Sequence, residues 1–148
     1  MSPVAKLLIL GFVAGFLATI LFHQGLWWVF NQTGVIPADR PAWPIDPVPP
    51  FGVPSVIAMA FWGGLWGAGL TLLLGQLTGA AYWTSWIVVG AVALTVVAFF
   101  IVLPIKGEAI PSLWPRFAND LLLNGAWGFG TALFLKVLGL GPFLRASG

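Results

Sequence analysis

The chain has 148 residues, 59% hydrophobic and 7% charged, with a net charge of +2 and a mean hydropathy of +1.00. A soluble domain carries about 25% charged residues, so six basic and four acidic side chains cannot cover the surface of a soluble protein of this length. No basic run or stripe exists to hold nucleic acid, and the absence of cysteine excludes disulfides, thiolate metal sites and cysteine nucleophiles.

An integral membrane protein is therefore expected, all-α, with a single domain over 1–148. The first apolar run covers 4–30, with Lys6 as its only full charge. A signal peptide has an apolar core of about 7–15 residues and a small-x-small cleavage site. This run is longer and lacks such a site near His23, so a retained transmembrane helix is expected. Gly11, Ala14, Gly15 and Ala18 fall on one stripe, where small residues let helix backbones approach in lipid. Trp27 and Trp28 mark its far boundary, as indoles collect at the water–lipid interface.

Residues 31–53 are rich in proline, which blocks helix and inner strand. They read as an extended loop, either a stiff spacer or a lid over the bundle mouth, with Trp43 and Phe51 able to fold back onto the membrane. Asn31-Gln-Thr33 matches a glycosylation acceptor but lies against the membrane. Further helices are expected over 55–77, 83–103 and 116–139, with Pro104 ending the third. Four spans place both termini on one face. Lys6, Lys136 and Arg145 lie on that face, and Arg40, Lys106 and Arg116 on the other. All four acidic residues lie opposite the termini. The free amino terminus tips the balance of positive charge, so both termini are expected in the cytoplasm of a bacterial-type inner or plasma membrane.

An internal echo connects the halves. At an offset of 61, seven pairs are identical: Pro50/Pro111, Pro54/Pro115, Gly64/Gly125, Trp66/Trp127, Gly67/Gly128, Gly69/Gly130 and Leu72/Leu133. Seven matches at one offset imply two related helical hairpins. Because both start on the same side, they should be parallel repeats about a pseudo-two-fold axis along the membrane normal. The first helices of the hairpins show no convincing match. Gly63, Gly64, Gly67 and Gly128 are expected at helix–helix contacts.

The fourth helix carries the polar stripe. Arg116, Asp120, Asn124, Trp127 and Thr131 fall within a sector of about 60°. Asp120 reads either as a helix-start carboxylate paired with Arg116 or as a solute- or proton-binding group facing protein or water. His23, the only histidine, lies at comparable depth. It reads as an interfacial side chain bonded to a carbonyl, or as the partner of Asp120. One histidine and no cysteine leave no haem or zinc site and little room for a triad, so no cofactor, no metal and no catalytic residues are expected. The expected function is non-enzymatic: a membrane subunit that packs with itself or with a larger complex in the bilayer. The alternative is a small-solute or proton permease using His23, Arg116, Asp120, Asn124 and Thr131.

Overall fold

Ser2 starts the first helix by accepting the Ala5 N–H on its hydroxyl at 3.2 Å, and Pro3 occupies the first turn, where no N–H is needed. In this computed structural model, which describes residues 1–112 and 114–139, helix α1 runs Pro3–Gln32. One wide turn, Thr19–His23, interrupts its regular winding, and there the Gln24 N–H reaches back five residues to the Thr19 carbonyl. The Ile20 carbonyl in that turn accepts the Trp43 indole N–H at 2.9 Å.

That bond is one of several that strap the proline-rich loop down. Proline gives the loop few N–H donors but leaves its carbonyls free to accept. The side chains of α1 supply the donors. Buried Gln24 donates to Ala42, Trp27 to Arg40 at 2.9 Å, and Asn31 to Ile36, Pro37 and Arg40. The Asn31 amide nitrogen of the acceptor-like sequence is thus occupied within the loop. A short antiparallel pair, β1 (Pro47–Val48) with β2 (Val53–Pro54), turns the chain back, leaving Phe51 exposed at its tip. The loop is bonded along α1.

Helix α2 is Ser55–Leu74. Its start is fixed to the loop by Ser55 and Val56, whose N–H groups reach Asp46 and Pro44. After a short turn, α3 runs Gly79–Ile105. It begins earlier than expected from the sequence, because Thr78 takes the extended conformation of a helix-capping position. It also continues past the expected stop at Pro104. A wide turn at Ala98–Val102 lies just before that proline and relaxes the carbonyl spacing its ring would otherwise strike. The end comes at Gly107, at φ +72°, with Glu108 and Gly107 N–H groups closing onto Leu103 and Pro104. Helix α4 is Arg116–Val137. Arg145, counted on the terminal face, lies outside the described residues.

Three helices, α1, α2 and α3, are long and apolar enough to cross a membrane. Their outer faces are apolar: Ile9 and Val88 are more than half exposed, and Phe61 of α2 nearly half. A pairwise pattern of contacts organises the bundle. α1 packs along α2, α3 packs along α4, and α4 crosses α1. α2 and α3 touch little.

Glycines set the close approaches. A methyl group on Gly67 would strike the Gly11 carbonyl of α1, and one on Gly63 the Thr19 hydroxyl. On Gly64 it would meet the Phe12 ring at 2.6 Å. On Gly128 it would strike the Trp86 carbonyl of α3. All four glycines are buried. Where α4 crosses α1, Gly130 lies under the Phe22 ring and the buried Trp127 indole donates to the Gly15 carbonyl at 3.0 Å. Between α3 and α4, Tyr82 donates to the Ala132 carbonyl at 2.7 Å and Asn124 to the Thr95 hydroxyl at 2.9 Å.

Candidate solute cleft

Because α2 and α3 part beyond their turn, they leave a cleft of about 1180 Å³ between them, with α1 and α4 behind it. Its lining is graded by depth. At the loop-rich end stand Arg40, Lys106 and Arg116, with Trp27 and Pro37 beside them. About one turn in are His23, Asn119, Asp120 and Met59. Deeper lie Thr19, Asn124, Ala98 and Trp62. The far end is apolar, with Leu70, Leu73, Leu94 and Trp66. The strapped loop contributes Val35, Ile36 and Pro37 to the wall, so the bonds from Gln24, Trp27 and Asn31 also shape the cleft.

Helical spacing explains the polar belt. Thr19, His23 and Trp27 recur every four residues on α1, and Arg116, Asp120 and Asn124 do so on α4. Each row turns one narrow face to the cleft. His23, Arg116, Asp120 and Asn124 therefore meet in one cavity. Thr131 does not join them. It is fully buried and donates to the Trp127 carbonyl four residues back in its own helix at 2.9 Å.

The direct partners expected for Asp120 are not formed. His23 instead bonds Gln24 through Nδ1 at 2.6 Å and stacks on the Trp27 ring. The Arg116 guanidinium lies over the Phe99 ring, 5.7 Å from its centre. Asp120 has no direct hydrogen bond or ion pair among the described residues. It is a half-buried carboxylate that faces an open, partly polar cavity.

Several lining residues were not singled out from the sequence as site residues: Thr19, Arg40, Lys106, Asn119 and Trp66. The four-residue spacing to His23 was the available signal for Thr19, and adjacence to Asp120 for Asn119. Nothing local marks Arg40 or Lys106, which reach the cleft through loop placement. Among the described residues no group of three histidine or acidic side chains comes together as a metal site. No family model, curated protein or solved structure matches the chain.

Proposed function

We propose that this is a non-enzymatic, multi-pass membrane protein that takes up a solute in the cleft between α2 and α3, as a permease or permease-like binding protein. One observation carries this reading: the polar face of α4 lines a cavity, where Asp120 makes no direct hydrogen bond among the described residues and has only the charge of Arg116 one turn away. An ionisable side chain at membrane depth is costly unless it faces protein or water, and it marks solute and proton paths. The reading includes four spans. The 22 residues of α4 are enough to cross, and α4 runs against the length of α3 from Phe99–Phe117 to Tyr82–Ala132. It places both termini in the cytoplasm.

The duplication belongs to the same proposal. It is supported by matching contacts at the constant offset. Gly67 of α2 packs on the Gly11 carbonyl of α1, and Gly128 of α4 packs on the Trp86 carbonyl of α3. Gly15 faces Gly63 and Gly67, and Gly90 faces Asn124 and Gly128. These contacts pair Gly11 with Trp86 and Gly15 with Gly90, aligning the first helices of the two hairpins.

A second reading, a self-associating or accessory subunit, is favoured by the sideways opening of the cleft. Trp62 at its edge is 62% exposed, and a helix of a second copy or of a larger complex would complete the bundle there. Purified protein in liposomes loaded with a pH-sensitive dye, and tested for uptake of small fluorescent carboxylates, separates the two. The permease reading expects flux that Asp120→Asn abolishes while folding is kept. No flux from wild type, with a stable oligomer by light scattering, would leave the subunit reading.

A further inference from the structure

We infer that the cleft takes an anionic amphiphile, a membrane lipid with a phosphate-bearing headgroup, with its phosphate at Arg40, Lys106 and Arg116 and its chain along the apolar far end. This names the ligand class of the proposed solute cleft and rests on that reading.

Three features of the cavity point to this occupant. First, charge is graded. Three of the six basic side chains of the protein line one end of one cavity; neither Arg40 nor Lys106 has an ion-pair partner among the described residues, and Arg116 has only Asp120 one turn away, without a direct bond. Arginine forks and lysine ammonium groups at a membrane surface match phosphate oxygens. Second, polarity falls with depth. The belt of His23, Asp120 and Asn124 gives way to Leu70, Leu73 and Leu94. A compact polar solute would leave those leucines facing empty space or water. A free acyl chain without a headgroup would leave the three cations and Asp120 unmatched. Third, size and access fit. At about 1180 Å³ the cleft exceeds the ~300–1,000 Å³ of pockets that hold drug-sized ligands. It opens between α2 and α3, whose outer faces carry the exposed apolar side chains Phe61 and Val88. A lipid can therefore enter sideways from the bilayer without its chain crossing water.

The carboxylate fits the same occupant. Asp120 stands one turn deeper than Arg116 on α4. Below the three cations, it would accept hydrogen bonds from hydroxyls of a glycerol or sugar headgroup. That keeps the anion at the mouth and its neutral polar part at the belt.

Native mass spectrometry of the full chain, released from nanodiscs of mixed phosphatidylglycerol and phosphatidylcholine, tests this. Wild type should retain one phosphatidylglycerol in preference to phosphatidylcholine. Lys106→Gln with Arg116→Gln should reduce that preference about tenfold or more, since each surface cation favours anionic lipid. Ala98→Trp, which fills the cleft and leaves all three cations in place, should release the bound lipid. Gel filtration and thermal unfolding check that both variants fold. Equal retention of the two lipids by wild type, or unchanged preference in both folded variants, would overturn the inference. So would displacement of phosphatidylglycerol by inorganic phosphate alone, which would make the ligand a free anion. Asp120-dependent flux of a fluorescent carboxylate without lipid selectivity would remove the lipid and keep the solute cleft. Loss of both would remove both.

Discussion

At the scale of single residues, two buried tryptophans give opposite expectations. Trp86 and Trp127 are both fully buried. The Trp127 N–H bonds the Gly15 carbonyl at 3.0 Å, whereas the Trp86 N–H has no partner. Phenylalanine removes an N–H from each with a similar loss of ring volume. Trp127→Phe should therefore destabilise by about 1 kcal/mol more than Trp86→Phe, the net worth of one hydrogen bond. Thermal or denaturant unfolding in detergent measures the difference, and equal losses would refute the assignment. Gln24 offers a second case. Gln24→Leu leaves the Ala42 carbonyl buried without a donor, which costs about 1–3 kcal/mol. Residues 33–46 should also become more open to protease, because their bonds to α1 come from so few side chains. The candidate site was partly legible at this scale. The stripe of Arg116, Asp120 and Asn124 follows from helical spacing alone. The place of Thr131 does not, because its hydroxyl is bonded within its own helix. The partners of His23 were hidden too, since Gln24 is its sequence neighbour and Trp27 offers a ring rather than a charge.

At the scale of elements, glycines separate into those that meet a neighbouring helix and those that do not. Gly67 and Gly128 each face a carbonyl oxygen of the adjoining helix, while Gly69 meets nothing within 4 Å. Gly67→Ala and Gly128→Ala should each cost about 1–3 kcal/mol, the usual penalty of overpacking. Gly69→Ala should be neutral or stabilising, since alanine is the better helix former. If all three variants unfold at the parent temperature, the close approaches are not what holds the hairpins together. This contrast also explains what could be read from the sequence. Under the proposed duplication, a position where one helix presses a glycine against another's backbone has to stay glycine, which accounts for the match of Gly67 and Gly128 at an offset of 61. The partner positions contribute only a carbonyl, which any residue supplies. Gly11 and Trp86 can thus do the same work with no likeness between them. The wide turn at Gly90–Leu94 further offsets the two first helices, so that Thr19 meets Gly63 where Thr95 meets Asn124. The ends of α3 were misread for a related reason. Proline stops a regular helix, but a wide turn just before Pro104 carries the chain through.

At the scale of the whole molecule, the proposed four spans predict which segments share a face. Single cysteines at 2 and 79 should be labelled from one side of sealed vesicles, and those at 46 and 108 from the other. Labelling of 2 and 79 from opposite sides would reject that topology. The proposed duplication makes a further demand. It relates the contact of α4 with α1 to that of α2 with α3, yet only the first is closed. Trp127 sits on the Gly15 carbonyl and Gly130 against Phe22, whereas their counterparts Trp66 and Gly69 line the open cleft. Carrying the closed contact across the pseudo-two-fold, in the register that pairs Thr19 with Thr95, sets Gly69 against Ala98, which lines the cleft from the other wall. If the duplication holds, a cleft that shuts would bring Gly69, which nothing touches in the open cleft, into the contact that Gly130 makes. Gly69→Cys with Ala98→Cys, in a chain that has no other cysteine, tests this directly. Oxidation should join the pair slowly, block the Asp120-dependent flux, and be slowed by saturating phosphatidylglycerol, which holds the walls apart. Reduction should restore flux. If the two cysteines never join although each is reached by a thiol reagent, α2 and α3 do not close in this way, and the open cleft is the only state the molecule uses.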